Sequence, residues 1–379
     1  MTQVPASSAR ATRAEIDVQA IRHNAAVLAR RAGNAELWAV VKANAYGHGA
    51  IPCARAALAG GAKGLCVALT QEAIELRVAG VDAPLIVLSE QPAADIEALI
   101  SHDVVCVAYN EQYIEALAQE AGKQGKRCRV HLKIDTGMHR VGAAVEHAVS
   151  RASTIVAHKT LLLEGVMTHL ATADDPSHGA TAEQLSAFGR VVDAIRSIAP
   201  ELRHVHAANS AAALRTLTPG ASLVRAGIAL YGLLPGDGVA AQMEGLQPAM
   251  TLRTKVLHVQ RVAGGQGVSY GLRTVLERES TIATLPIGYA DGIARRSWQT
   301  SARVLLGGKQ RRIVGVVTMD QMMVDCGDDT VHIGDDVVIF GEQDGATVSV
   351  TDWARALDTI SYEVVCAISA RVPRDYRDI

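Results

Sequence analysis

ELWAVVK at positions 36–42 is five apolar or aromatic residues in a row, opened by a glutamate and closed by a lysine. A run this short, apolar on both faces and rich in β-formers, reads as a buried strand rather than a helix. The same kind of run recurs seven more times: GLCVALT (64–70), PLIVLSE (84–90), VVCVAYN (104–110), RVHLKID (129–135), LEGVMTHL (163–170), HVHAANS (204–210) and SLVRAGIALYG (222–232). Helical stretches such as HGAIPCARAALAGGA (48–62) and TAEQLSAFGRVVDAIRSIA (181–199) lie between them. Strands buried on both faces and separated by helices imply a parallel sheet. Eight such units closing on themselves predict a (β/α)8 TIM-type barrel. A doubly wound open sheet is the alternative; no GxGxxG follows the first strand, and eight units exceed its usual number.

After about residue 240 the texture changes. TLRTKVLHVQRV (251–262), STIATLPIGYADG (280–292), SARVLLGG (301–308), QRRIVGVVTMD (310–320) and VHIGDDVVIFG (331–341) alternate, with Gly and Asp turns between them. This predicts a second, mostly antiparallel β domain. The expected division is 1–240 for the barrel and 241–379 for the β domain, with LLPGDGVAAQMEG (233–245) as linker and the extreme N-terminus a candidate to join the second domain. One short helix is expected near TVSVTDWARAL (347–357), with Thr351 or Asp352 as its cap.

Composition narrows the function. The chain has 379 residues, 49% hydrophobic and 20% charged, enough for a sizeable core and too long for one small module. Thirty-seven Lys and Arg against 39 Asp and Glu, scattered along the chain, give no footprint for nucleic acid or an anionic membrane. No apolar stretch approaches a membrane span, and the first residues have no apolar leader core. Six cysteines without CxxC spacing read as reduced, mostly buried thiols in a cytoplasmic protein, not as a zinc site or disulfide framework. No metal is expected.

A barrel of this kind carries its chemistry at the carboxyl ends of its strands. Those ends are Lys42, Thr70, Ser89, Tyr109, Asp135, His169, Asn209 with Ser210, and Arg225 with Gly227. Lys42 closes an apolar strand. Desolvation there lowers an ammonium pKa and suits a nucleophile or base; by position alone a lysine snorkelling from the barrel mouth fits equally. Ser210 alone reads as a helix N-cap, and Tyr270 alone as an ordinary strand tyrosine.

The neighbourhoods say more. VKANAYGHG (41–49) resembles the pyridoxal-phosphate attachment segment of the alanine racemase family. LKIDTGMHRVG (132–142), HAANSAA (206–212), VRAGIALYG (224–232), VSYG (268–271), GYADG (288–292), TMDQ (318–321) and SYE (361–363) match in the family's order. The resemblance spans roughly residues 36–372. It implies a pyridoxal-5'-phosphate enzyme that interconverts L- and D-alanine, with Lys42 carrying the cofactor and acting as one base and Tyr270 as the other. It implies Tyr46, His169, Asn209, Ser210, Arg225, Gly227, Ile228 and Tyr362 around the cofactor. Arg140 and the Met319 amide would hold the substrate carboxylate, with Lys133, Asp320 and Tyr289 in support. Lys133 matches a position often carbamylated in relatives. The family's second base comes from the partner subunit, so a homodimer with shared sites is implied.

The physics agrees with two of these roles. An arginine facing the pyridine nitrogen cannot accept a hydrogen bond and disfavours a second positive charge beside it. That suppresses transamination and argues against a decarboxylase of the same barrel class. Proton removal from one face of Cα and return on the other needs two bases. Three positions depart from the family: Thr318 where relatives often have Cys, His139 where Gly is frequent, and Thr274 where another Tyr is common. They are expected near the substrate entrance and leave side-chain tolerance open, so a serine or broader amino-acid racemase is the alternative, and a non-catalytic pyridoxal-phosphate carrier a more remote one. The expected role is D-alanine supply for peptidoglycan, or alanine catabolism.

Overall fold

The computed structural model describes residues 10–217 and 220–377. It divides into two compact units, Gln19–Gln247 and the remainder, residues up to Val18 together with Pro248–Ile379.

In the chain's order the strands are β1 (Arg13–Asp17), β2 (Glu36–Val40), β3 (Gly64–Val67), β4 (Leu85–Val87), β5 (Val105–Ala108), β6 (Cys128–Asp135), β7 (Ala143–Ala144), β8 (Leu161–Met167), β9 (His204–His206) and β10 (Leu223–Ala226). All eight apolar runs contain strands. They pair in parallel in the order β10-β2-β3-β4-β5-β6-β8-β9. The ring closes between β9 and β10 by individual bonds: Ser222 N–H donates to Val205 O at 3.0 Å and Arg225 N–H to Ala208 O at 3.0 Å. The result is a nearly closed eight-stranded barrel. Helices cover it outside, among them Ala50–Ala59, Glu111–Lys123, Val145–Ala157 and Ala180–Arg196. A further helix, Val18–Arg31, precedes β2. Its buried Asn24 donates to Leu230 O (3.0 Å) and Gln247 O (2.7 Å) and so ties the barrel's start to its end.

The barrel interior is unusually polar. Trp38, His131, His204 and His206 fill its middle, with ring centroids 5.0–6.4 Å apart. Room for His131 comes from Gly165, its register partner on β8. A Cβ there would lie 2.6 Å from the imidazole.

The second unit holds β11 (Met250–Lys255), β12 (His258–Val262), β13 (Gly267–Val268), β14 (Thr274–Val275), β15 (Ser280–Leu285), β16 (Arg303–Leu306), β17 (Lys309–Val314), β18 (Met322–Asp325), β19 (Asp336–Gln343), β20 (Ala346–Val348) and β21 (Arg374–Arg377). Its main sheet runs β12-β15-β18-β17-β16-β19-β11-β1-β21 and is antiparallel except for the β1–β21 pair. The N-terminal strand β1 thus lies in this unit. Buried Glu15 on β1 is surrounded by Arg13, Arg253 and Arg377 at 2.6–3.1 Å.

Two expectations about helices here are corrected. The helix Val350–Ala356 is capped by Ser349, not by Thr351 or Asp352. Ser349 Oγ accepts from Asp352 N–H at 3.0 Å while Asp352 Oδ2 accepts from Ser349 N–H at 2.9 Å. This reciprocal pair needs an acid at the third helical position, so Asp352 is the cap's partner. A second helix, Ser361–Cys366, follows. Five of the six cysteines are buried, Cys366 is exposed, and all are free thiols. No helix of the described residues is long and apolar enough to cross a membrane.

Candidate active site

The barrel part of the site starts with an odd turn. After Lys42 the chain makes one left-handed turn, with φ of 51–54° at Ala43, Asn44, Ala45 and Tyr46. A left-handed turn costs about 1–2 kcal/mol per residue for non-glycine residues, so the surroundings must hold it. They do so from several sides. Glu72 accepts Ala43 N–H at 2.5 Å and also ties down the end of β3 by accepting Ala68 and Leu69 N–H at 2.8 and 3.1 Å. Asn44 Oδ1 accepts Ala50 N–H at 2.8 Å. Buried His48 stacks on Tyr231, whose hydroxyl donates to Val40 O at 2.9 Å. The outcome is a fixed direction for half-buried Lys42 at the end of β2.

Around that strand end the structure gathers positive charge. Arg225 is buried, 3% exposed, and no carboxylate of the described residues forms an ion pair with it. Burial lowers its pKa to about 10. Its guanidinium donates to His206 Nδ1 (2.5 Å), Thr168 O (2.9 Å) and Ala207 O (3.1 Å), with His169 Nδ1 at 3.4 Å. Lys133, on β6, donates to Leu88 O at 3.1 Å. Burial, then the cations Arg225, Arg140 and Lys42, hold its pKa at about 8, with Asp135 opposing. Burial and the same cations hold His169 well below the usual histidine range. Burial raises the carboxyl of Asp135, but the amides of Gly137, Met138 and His139 at 3.0 Å outweigh it and keep it ionised. Five nitrogen bases thus converge with one weakly opposing acid. Such a site is built for an anion.

The phosphate-side residues also meet. Ser210 Oγ accepts the N–H of Gly227 (2.8 Å) and of Ala229 (3.3 Å). The helix Ser210–Leu214 is capped by Asn209, whose Oδ1 accepts Ala212 N–H at 3.0 Å, so Ser210 is not the cap. Gly227 is required: a Cβ there would run into the Tyr46 hydroxyl. Ile228 opens the buried 3₁₀ turn Ile228–Tyr231. A group carrying both an amine-reactive carbon and an anionic tail, as pyridoxal phosphate does, fits this donor set: a lysine at one end, amides, hydroxyls and cations elsewhere. Of the other strand ends, Ser89 and Tyr109 hydroxyls lie 3.2 Å apart and Thr70 bonds Gln91. The described residues contain no group of three or more His, Cys, Asp or Glu set to hold a metal ion.

The second unit holds the remaining candidates. Tyr270 is 73% exposed on the 3₁₀ turn Tyr270–Leu272 and lines an open cleft of about 720 Å³ with Thr318 and Gln321. Met319 is 52% exposed and Tyr289 41%. Their two turns are joined: Tyr289 N–H donates to Thr318 O (2.9 Å) and Ala290 N–H to Met319 O (3.0 Å). Buried Asp291 anchors the pair, taking Arg10 in two bonds of 2.6 and 2.7 Å and the Gly288 amide at 3.0 Å. Arg371 lies 3.6 Å from Asp291 and 2.7 Å from Asp320. Tyr362 lies on the helix Ser361–Cys366.

The three departures are placed as well. Thr318 Oγ1 both donates to Gln321 O and accepts its N–H, closing its own turn. His139 is exposed with φ of 55°, a conformation that glycine adopts without cost. Thr274 is buried and accepts Gly315 N–H at 3.0 Å. Sequence reasoning passed over Glu72, Asp291 and the Glu164–His131–His206 series; the alternation in HLK and HVH was the available sign of inward histidines.

Family models for the alanine racemase N-terminal and C-terminal domains match residues 16–235 and 249–376. The chain belongs to the alanine racemase family. It is 43% identical over 371 residues to an alanine racemase of Thermobifida fusca, covering 96% of this chain and 97% of that protein. It is 43% identical over 378 residues to one from Frankia casuarinae, covering 98% of each. Among solved structures it resembles alanine racemase from D-cycloserine-producing Streptomyces lavendulae (TM-score 0.94, 38% identity, 100% and 98% covered). It also resembles that of Bacillus anthracis with bound L-Ala-P (TM-score 0.90, 36% identity, 97% and 96% covered).

Proposed function

We propose that the protein interconverts L- and D-alanine with pyridoxal 5'-phosphate held on Lys42, by two bases, Lys42 and Tyr270. The observation that carries this is the cationic cluster at the strand ends, with buried Arg225 lacking any ion-paired carboxylate among the described residues. Bound there, the cofactor supplies the electron sink that acidifies the substrate Cα–H. Everything else falls to the chain. Tyr46, His169, Asn209, Ser210, Gly227, Ile228 and Tyr362 bind and orient the cofactor. Arg225 is a donor that cannot take a proton from the ring nitrogen. Arg140 and the Met319 amide hold the substrate carboxylate, with Lys133, Asp320 and Tyr289 supporting them. Lys42 Nζ takes or returns the proton on one face of Cα and Tyr270 Oη does so on the other.

Most of the cofactor-binding residues and Arg140 thus belong to the barrel unit, Gln19–Gln247, and Tyr270, Met319 and Tyr362 to the second unit. Each site is completed by Tyr270 of the partner subunit in a homodimer. The high exposure of Tyr270, Leu272 and Met319 supports such a contact. Free amine at Lys133 near pH 8 favours carbamylation, which would place an anion beside Arg140; a carbon-13 bicarbonate signal lost in Lys133→Ala tests it. The setting is the cytoplasm, and the product serves peptidoglycan or alanine catabolism.

The purified protein should absorb visible light, and borohydride should bleach that band and fix the label on Lys42. Tyr270→Phe should keep the band yet lose solvent-deuterium uptake from one enantiomer. Exchange from both enantiomers at native rates refutes the two-base scheme; an unlabelled Lys42 refutes the cofactor's attachment.

A further inference from the structure

Behind Arg225 a row of polar side chains runs through the barrel interior. His206 Nε2 lies 2.9 Å from His131 Nδ1, and His131 Nε2 lies 3.5 Å from Glu164 Oε2. Arg129 stands 4.0 Å from the other Glu164 oxygen. His131 and His206 are fully buried, and the Glu164 side chain is 8% exposed. Gly165 and a register irregularity between Val130 and His131 make the space for the central imidazole. Three strands, β6, β8 and β9, are shaped around a series that the proposed mechanism does not use.

The chemistry of the donors allows only one proton arrangement. A guanidinium only donates, so His206 Nδ1 must accept and its proton must sit on Nε2. That Nε2–H donates to His131, whose Nδ1 must then accept and whose proton must also sit on Nε2. The last N–H makes no hydrogen bond in this structure, and Glu164 Oε2 at 3.5 Å is the carboxylate within ion-pair distance of it. Neither imidazole can take a second proton without breaking a bond in the row. Burial likewise keeps both rings neutral. Burial alone would raise the Glu164 carboxyl, but His131 and Arg129 outweigh it and keep it ionised. A negative end is therefore linked to the Arg225 cation through two neutral rings, without any carboxylate beside Arg225.

We propose that His131 and His206 form a one-way hydrogen-bond chain, ended electrostatically by the Glu164 carboxylate, that fixes Arg225 in place and in orientation, making Glu164 and His131 positioning residues for the racemisation. The kinetic part rests on the function proposed above; the proton arrangement does not.

The experiment uses purified protein carrying nitrogen-15 histidine, with the two rings assigned from His131→Gln and His206→Gln. Both rings should be in the Nε2–H form and should not titrate between pH 6 and 8. Either ring in the Nδ1–H form, or doubly protonated, overturns the proposal whether or not the protein racemises alanine. Glu164→Leu removes the terminal acceptor. Both rings should keep the Nε2–H form, because Arg225 sets it, and kcat should fall about tenfold, or about 1.4 kcal/mol, with KM for alanine within about twofold. Glu164→Gln keeps an acceptor and should restore kcat to within about threefold of the native enzyme. A Glu164→Leu enzyme with kcat within about twofold of the native value, or a Gln variant as slow as the Leu variant, overturns the positioning role. If Glu164→Leu does not fold, the native tautomers still decide.

Discussion

Replacing Glu72 with alanine should loosen the left-handed turn behind Lys42. One carboxylate accepts three backbone N–H groups there, at 2.5, 2.8 and 3.1 Å. A bond to a charged acceptor is worth about 1.5–3 kcal/mol when water is excluded. Glu72 is half-buried, so water replaces part of each, and about 1 kcal/mol apiece remains. The expected loss is about 2–3 kcal/mol, comparable to the cost of two of the four left-handed residues. For a unit of this size each kcal/mol lowers Tm by about 2–4 °C, so a drop of about 4–12 °C is expected. Glu72→Gln keeps one accepting oxygen and should lose about half as much. Circular dichroism melts give the first readout. Cofactor retained after dialysis gives the second, because a loosened turn misdirects Lys42. A Tm for Glu72→Ala within about 1 °C of the native value, with undiminished retention, would mean that the turn is held by something else.

Lys133 gives a signed pH dependence. Its folded pKa of about 8 lies below the unfolded value of about 10.4, so between them the unfolded chain binds the extra proton and stability rises with pH. Denaturant melts of Lys133→Met should lack that rise; identical profiles for both proteins contradict the assignment. Gly227→Ala should weaken pyridoxal-phosphate binding by about tenfold through the collision with Tyr46, read by absorbance titration, and unaltered affinity would refute the close approach. Ser349→Ala should cost about 1 kcal/mol in a thermal melt by removing the helix cap, and Thr351→Ala less than about 0.5 kcal/mol; equal losses would contradict the capping geometry.

The barrel was legible because eight short, β-rich and largely apolar runs separated by helical stretches leave little choice of architecture. The strand ends followed from that, and Lys42, Lys133, Arg140, His169 and Arg225 do influence one another electrostatically. The turn at 43–46 was illegible because Ala, Asn, Ala and Tyr carry no mark of left-handed backbone, which glycine ordinarily signals. The cap at Ser349 was missed because Thr351 and Asp352 are equally good capping types, and only the reciprocal bond with Asp352 separates them. Glu164 was hidden for a different reason. It lies inside an otherwise apolar strand, and its partner His131 belongs to another strand whose register no local pattern states.

Strand β1 has a consequence for how the protein is made. It precedes every other described strand in the chain, yet its hydrogen-bonding neighbours are β11 and, last of them, β21. Until β11 is made it has no strand to pair with, and until β21 is made it remains a sheet edge, while the intervening barrel sequence is free to collapse behind it. The antiparallel sheet therefore completes only once β21 has been made, and a nascent chain stalled short of Arg374 should leave β1 more open to protease than the full chain does.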